Sequence, residues 1–172
     1  LVLVPRHPER ADAVAATVQA AGLQVVRRSR LAPAPALPAA GMDSPGVASV
    51  LLVDTLGELM HFYAASDLAY VGGSLVPNGG HNPLEPLVLG LPVLSGPQVF
   101  NFREVYAELQ ALHAVTMVDS DHMLGRQLVA ALASWPDLRH IAPGPAVQEW
   151  LQRSQGSTAR LVARAEALAR TL

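Results

Sequence analysis

The run from Gly72 to Pro86 is the stretch of the sequence best suited to binding a ligand. It reads Gly-Gly-Ser-Leu-Val-Pro-Asn-Gly-Gly-His-Asn-Pro-Leu-Glu-Pro, with two glycine pairs ahead of a polar turn. Glycine lets a ligand approach the backbone closely, and the free N–H groups of a helix start attract anions. Because an apolar strand precedes this run and a helical pattern follows it, we predict a phosphate-binding turn.

The end of this run has the residues of a helix start. Asn82 is predicted as the N-cap, Pro83 as the first helical residue and Glu85 as the third. His81 could either hydrogen-bond a ligand or orient the loop, and both roles stay open.

Two further turns have anion-binding character. Arg6, after Pro5 and a short apolar strand, would present a guanidinium suited to phosphate or carboxylate. The second turn is Asp54-Thr55-Leu56-Gly57-Glu58, in which Thr55 is predicted as the N-cap and Glu58 as the third helical residue, while Gly57 leaves room for a ligand.

Each turn also has a purely structural explanation. Glu58 and Glu85 both stand at the capping-box spacing, as does Glu104 after Asn101, where no glycine is adjacent in sequence. For Glu58 alone we favour the capping role. For Glu85 we favour a ligand role, because glycine pairs are costly in backbone entropy and serve no capping purpose. Arg6 could instead form a surface salt bridge with Glu9 or Glu58.

Other chemistries find no support in the sequence. It has no cysteine, and its six histidines are not paired at metal-ligand spacing, so we expect neither a metal site nor a cofactor. No nucleophile elbow surrounds Ser74, which fits better as part of a strand-end turn beneath a ligand. The glycines match neither the dinucleotide motif nor the P-loop. A net charge of −2 gives no electrostatic footprint for nucleic acid.

The order of apolar runs predicts the fold. Short, non-alternating runs indicate strands buried on both faces, and helical patterns between them indicate a Rossmann-like, doubly wound parallel α/β sheet. The predicted strands are Leu1–Val4, Leu23–Arg27, Val50–Val53, Leu68–Val71, Pro92–Leu94 and Ala114–Val118. The predicted helices are Glu9–Ala21, Leu56–Ser66, Pro83–Gly90, Phe102–Leu112, Asp121–Ser134, Ala146–Arg153 and Thr158–Thr171.

The chain is predicted to form one domain over residues 1–172, with C-terminal helices in 146–172. The proline-rich stretch from Leu31 to Gly46 is expected to be a surface connection. Since the sequence begins inside a strand, we expect it to be part of a longer protein.

Five motifs in order carry a resemblance to a known family. They are Pro5-Arg6-His7-Pro8-Glu9-Arg10, Asp54-Thr55-Leu56-Gly57-Glu58-Leu59, Val71-Gly72-Gly73-Ser74, Gly79-Gly80-His81-Asn82-Pro83-Leu84-Glu85 and Gly96-Pro97-Gln98-Val99-Phe100-Asn101-Phe102. The set resembles the C-terminal half of the 3-deoxy-D-manno-octulosonic acid (Kdo) transferases of Gram-negative bacteria, over essentially the whole chain.

The resemblance implies an inverting glycosyltransferase of the GT-B type, which moves Kdo from CMP-Kdo to a lipid A precursor at the cytoplasmic face of the inner membrane. It further implies that the C-terminal half binds the donor. The N-terminal half, absent here, would supply the acceptor site, the membrane contact and the general base. This chain by itself would then be soluble, and would bind CMP without catalysing transfer.

By position, the resemblance implies contacts with CMP at each of the three turns. The implied residues are Pro5, Arg6, Leu56, Gly57, Glu58, Asn82, Pro83, Leu84 and Glu85, and Glu85 would accept hydrogen bonds from the ribose hydroxyls. Members of the family often have methionine at the position of Leu56. Two alternatives stay open: half of a UDP-sugar glycosyltransferase or sugar-nucleotide epimerase, and a non-catalytic nucleotide-binding module.

Overall fold

The computed structural model describes residues 1–31, 49–133, 144–154 and 156–170. The predicted proline-rich connection lies, beyond Leu31, outside the described residues. The contacts divide the chain into two compact units, Leu1–Phe62 and Tyr63–Leu172. The prediction of a single domain over the whole chain stays a prediction.

The first unit contains a parallel three-stranded sheet. Its strands are β1 (Val2–Leu3), β2 (Gln24–Arg27) and β3 (Ser49–Leu52), in the order β1-β3-β2. Leu51 of β3 is opposite Val2 of β1 and Val26 of β2. The central strand is β3, and its last three residues are buried, as its unbroken apolar run predicts.

The second unit contains another parallel three-stranded sheet. Its strands are β4 (Ala69–Val71), β5 (Val93–Ser95) and β6 (Val115–Met117), in the order β4-β5-β6. All three residues of the central strand β5 are buried. The predicted parallel α/β fold is confirmed, and its six described strands form two three-stranded sheets.

Seven helices are described. They are α1 (Ala11–Ala20), α2 (Leu59–Ala64), α3 (Leu84–Val88), α4 (Arg103–Ala111), α5 (Asp121–Ala133), α6 (Pro145–Ser154) and α7 (Ser157–Ala169). Short 3₁₀ turns at Pro8–Arg10 and Phe100–Phe102 precede α1 and α4. Gly22 and Gly90 follow the C-caps of α1 and α3 with φ of 77° and 80°, a left-handed backbone that favours glycine after a helix.

Each unit has its own apolar core. In the first, Leu52 packs with Ala11 and Ala15 of α1. In the second, the core consists of Val71, Leu87, Val93, Tyr106, Leu109, Val115 and Trp150. Trp150 on α6 therefore packs in this core, whereas Trp135 lies outside the described residues. In the described part of the chain, no helix has both the length and the apolarity to cross a bilayer.

Candidate functional site

Parallel strands end at one edge of their sheet, which is where open α/β sheets bind ligands. In the first unit, that edge carries Pro5 and Arg6 after β1, Arg28 after β2, and the predicted ligand turn 54–58 after β3. The structure thus brings the predicted Arg6 and Gly57 segments to one edge of this sheet.

Arg6 is exposed, and within the described ranges no ion pair includes it. Its two predicted salt-bridge partners are engaged elsewhere. Glu9 lies 3.4 Å from His7, and Glu58 lies 2.7 Å from Arg28. The Arg6 guanidinium is consequently available to an anion.

Glu58 has a role that the sequence did not predict. Arg28 donates to its Oε1 from Nε at 3.1 Å and from Nη2 at 2.7 Å, while the Thr55 hydroxyl donates to Oε2. These contacts hold the pKa of the Glu58 carboxyl below its usual value, and the Thr55 hydrogen bond is the largest cause. Because α2 begins only at Leu59, the predictions of Thr55 as N-cap and Glu58 as third helical residue are wrong.

The turn held by Glu58 leaves open space above its backbone. Gly57 has φ of 81°, and a Cβ built on it would meet no atom within 4 Å. Leu56 beside it is 80% exposed, which is unusual for a large apolar side chain. The predicted room for a ligand is present here, and ligand contact by either residue stays a prediction.

A second carboxylate ties β2 to β3 at the same edge. Asp54 accepts hydrogen bonds from the Ser29 amide at 2.9 Å and the Ser29 hydroxyl at 2.7 Å, with Arg27 3.9 Å away. Burial acts to raise the pKa of Asp54, but the Ser29 bonds and the Arg27 charge outweigh it and lower the pKa. Arg28 and Ser29 were not among the predicted site residues, although polar residues directly after a predicted parallel strand were a usable signal.

In the second unit, the loops after β4 and β5 are hydrogen-bonded to each other. The Asn101 amide, after β5, donates to the Gly79 carbonyl at 3.0 Å, while the Gly80 amide donates within the loop after β4 to the Gly73 carbonyl at 2.9 Å. Gly79 and Gly80 are buried, with φ of 86° and 73°. A Cβ on Gly79 would lie 2.3 Å from Asn101 Nδ2.

Packing between these loops therefore accounts for the glycine pair that the sequence analysis assigned to ligand approach. Asn101 does not cap a helix, since α4 begins at Arg103 and the Asn101 side chain donates to the Asn78 carbonyl at 3.1 Å. By contrast, a Cβ on Gly72 would meet no atom within 4 Å.

The predicted helix start after this loop is displaced by one residue. Pro83 is the N-cap of α3, not its first residue, and Glu85 is the second helical residue, not the third. Asn82 still supplies the capping oxygen, because its Oδ1 accepts from the Leu84 amide at 3.0 Å. Its Nδ2 donates to Glu85 Oε1 at 3.3 Å, which holds the two side chains together.

Tyr63 lies in the electrostatic field of Glu85. Burial, and secondly the negative charge of Glu85, raise the pKa of Tyr63 to about 12. Its phenol is therefore neutral at physiological pH.

The two remaining candidates, Ser74 and His81, make contacts inside the protein. The Ser74 hydroxyl is fully buried, donates to the Val71 carbonyl at 2.7 Å and accepts from the Gly96 amide at 2.8 Å. The His81 ring lies against Gly73, and the His81 carbonyl accepts from the Tyr106 hydroxyl at 3.4 Å. Both residues support the loop, and their contact with a ligand is untested.

A metal centre was not predicted, and in residues 1–31, 49–133, 144–154 and 156–170 no three His, Asp or Glu side chains are grouped to hold a metal ion. The polar turns instead follow the strand ends of parallel sheets, as they do in the nucleotide-binding class of α/β domains.

Comparison with known proteins identifies the family. The chain is 40% identical to the 3-deoxy-D-manno-octulosonic acid transferases of Haemophilus influenzae, over 94% of its length, and of Bordetella pertussis, over 93%. It superposes with a TM-score of 0.69 and 34% identity on the crystal structure of the C-terminal CMP-Kdo binding domain of WaaA from Acinetobacter baumannii, covering 88% of this chain and 72% of that one. No family model matches the chain.

The chain belongs to the 3-deoxy-D-manno-octulosonic acid transferase family and matches its C-terminal domain. It spans 35% of the length of each of these two curated relatives. The resemblance drawn from the five sequence motifs is confirmed.

Proposed function

We propose that this chain binds CMP-Kdo as the donor half of a GT-B glycosyltransferase that transfers Kdo. The observation that carries the proposal is its likeness to the CMP-Kdo binding domain of Acinetobacter baumannii WaaA, at 34% identity and a TM-score of 0.69. In the whole protein, a further domain would bind a lipid A precursor at the inner membrane and supply the general base. We assign no catalytic residue to this chain.

We assign the donor contacts to two groups of residues. In the first unit they are Pro5, Arg6, Leu56, Gly57 and Glu58. In the second unit they are Asn82, Pro83, Leu84 and Glu85.

The chemistry explains why such groups would serve a CMP donor. When the bond from Kdo to phosphate breaks, negative charge grows on the departing CMP, and donors fixed in advance stabilise it best. The exposed Arg6 guanidinium supplies positive charge. The ion pair with Arg28 offsets the negative charge of Glu58, which directly follows the proposed contact residue Gly57 in the sequence. Since α2 and α3 have only six and five residues, their contribution would come from local N–H groups more than from a long helix dipole.

Calorimetric titration of the chain with CMP, UMP and UDP tests the proposal. We expect CMP to bind more tightly than either uridine nucleotide. A preference for UDP would favour the alternative of a UDP-sugar enzyme, and no CMP binding at millimolar concentration would contradict donor binding.

The variant Arg6→Ala tests the proposed contact between Arg6 and CMP. We expect it to weaken CMP binding, and to do so more at low salt than at high salt, because the lost attraction is electrostatic. Arg10→Ala is the control, since Arg10 is also exposed and lies in the neighbouring 3₁₀ turn. Equal effects of the two variants would mean that only net charge matters and that Arg6 makes no specific contact.

A further inference from the structure

A chain of buried hydroxyl groups lies beneath the turn that leads into α3. Ser95, the last residue of β5, donates from Oγ to the Tyr106 hydroxyl at 3.0 Å. The Tyr106 hydroxyl in turn donates to the His81 carbonyl at 3.4 Å. Ser95 and Tyr106 are both completely buried, although each carries a polar group.

This chain of hydrogen bonds connects the core to residues 82–85. The Tyr106 ring belongs to the apolar core of the second unit, where a phenylalanine ring would fill the same space. Its hydroxyl is therefore unnecessary for packing, and a buried hydroxyl is unfavourable unless it is hydrogen-bonded. What the hydroxyl adds is a fixed position for the His81 carbonyl, one residue before Asn82.

We infer that Tyr106 is a positioning residue for donor binding, whose hydroxyl holds the His81–Glu85 turn in the geometry that contacts the nucleotide. This inference rests on the proposed function, because it assumes that Asn82 and Glu85 meet the CMP part of the donor. The Asn82–Glu85 hydrogen bond would transmit the position of the His81 carbonyl to both side chains.

Tyr70 offers a matched control in the same unit. Its hydroxyl lies 3.3 Å from Ser74 Oγ, which has two other partners, the Val71 carbonyl and the Gly96 amide. Tyr70→Phe and Tyr106→Phe each remove one hydroxyl from a tyrosine, and the hydroxyl of Tyr106 is the one that donates to the His81 carbonyl.

The test is calorimetric titration with CMP of the wild type, Tyr106→Phe, Tyr70→Phe, Glu85→Gln and the double variant Tyr106→Phe/Glu85→Gln. Denaturant unfolding first establishes that every variant is fully native under the titration conditions. We expect Tyr106→Phe to raise the Kd for CMP about three- to tenfold, the equivalent of one hydrogen bond, and Tyr70→Phe to change it less than about twofold. In the Glu85→Gln background, the effect of Tyr106→Phe should shrink to less than about twofold, because the contact that it positions is already impaired.

The outcomes separate the two proposals. If the wild type does not bind CMP, donor binding and the role of Tyr106 both fail. If the wild type binds, the positioning role alone fails in any of three cases: Tyr106→Phe leaves the Kd unchanged, both tyrosine variants weaken binding equally, or the full effect persists in the Glu85→Gln background. A merely structural tyrosine would lower the free energy of unfolding without coupling to Glu85.

Discussion

Replacing Gly96 with alanine is the sharpest test of how the loops after β4 and β5 pack. Gly96 follows β5 and is buried, and a Cβ on it would lie 2.3 Å from the Ser74 carbonyl oxygen and 2.7 Å from the Leu75 nitrogen. Both atoms belong to the backbone, so no side-chain rotation relieves the overlap. The φ of Gly96 is not in the left-handed region, so the cost arises from this contact alone.

The size of the effect follows from what must move. Separating the two loops strains the hydrogen bonds from the Gly96 amide to Ser74 Oγ and from the Gln98 amide to the Ser74 carbonyl, both 2.8 Å long. Overpacking costs about 1–3 kcal/mol and each of the two weakened hydrogen bonds about 0.5–1.5 kcal/mol, so we expect Gly96→Ala to lower the free energy of unfolding by roughly 2–6 kcal/mol.

Gly125→Ala is the matched control. Gly125 is an exposed residue inside α5, and a Cβ on it would meet no atom within 4 Å. Alanine is the better helix former, so this variant should gain about 0.5–1 kcal/mol of stability. The same chemical change is thus expected to have opposite signs at the two sites.

Urea unfolding followed by tryptophan fluorescence measures both variants. Of the two tryptophans in the sequence, Trp150 packs in the core of the unit that contains Gly96 and Gly125. The slope against urea should stay constant while the midpoint shifts. A loss of no more than about 0.5 kcal/mol for Gly96→Ala, the size typical of a surface substitution, would refute the close approach of the two loops.

The remaining predictions concern pH. The pKa of the Asp54 carboxyl is lower in the folded state than its ordinary value of 3.8. Ionised Asp54 therefore stabilises the folded protein at pH values above 3.8, and this stabilisation is lost as the pH falls through the folded pKa. Asp54→Asn should therefore flatten the acid side of a plot of unfolding free energy against pH, measured by circular dichroism in urea; an unchanged slope would contradict the Ser29 contacts. The pKa of Tyr63 is raised from 10.0 to about 12, so stability should fall as the pH rises through this interval, and Tyr63→Phe should remove that loss. Absorbance titration of the phenolate checks it, since the variant should lack the component that ionises near the upper value.

Local patterns predicted the secondary structure well. All six strands and seven helices are present, with ends that differ by up to three residues. Short apolar runs without alternation were sufficient, because strands covered on both faces need no polar positions. Gly22 and Gly90 also mark the ends of α1 and α3 in the sequence, since the left-handed backbone after a helix favours glycine.

The details of the candidate site depended on contacts between distant residues. Glu58 fits the capping-box spacing, but Arg28, thirty positions earlier, binds its carboxylate and α2 starts only afterwards. Gly79 belongs to a glycine pair that favoured a ligand role for Glu85, and the structure shows that Gly79 also packs closely against Asn101. Nothing in the sequence near Glu58 or Gly79 indicates these partners, so spacing alone placed Glu58 wrongly inside a helix and gave no sign of the packing contact at Gly79.

The burial of Trp150 in the core determines where this chain can be truncated. Trp150 is only 9% exposed, packs among Tyr106 and Leu109, and its indole donates to Glu108. By contrast, every residue of α7 from 161 to 169 is exposed. A stop codon before Pro145 would remove α6 from the apolar core and expose apolar surface, which favours aggregation. A stop codon after Ser154 would leave that core intact.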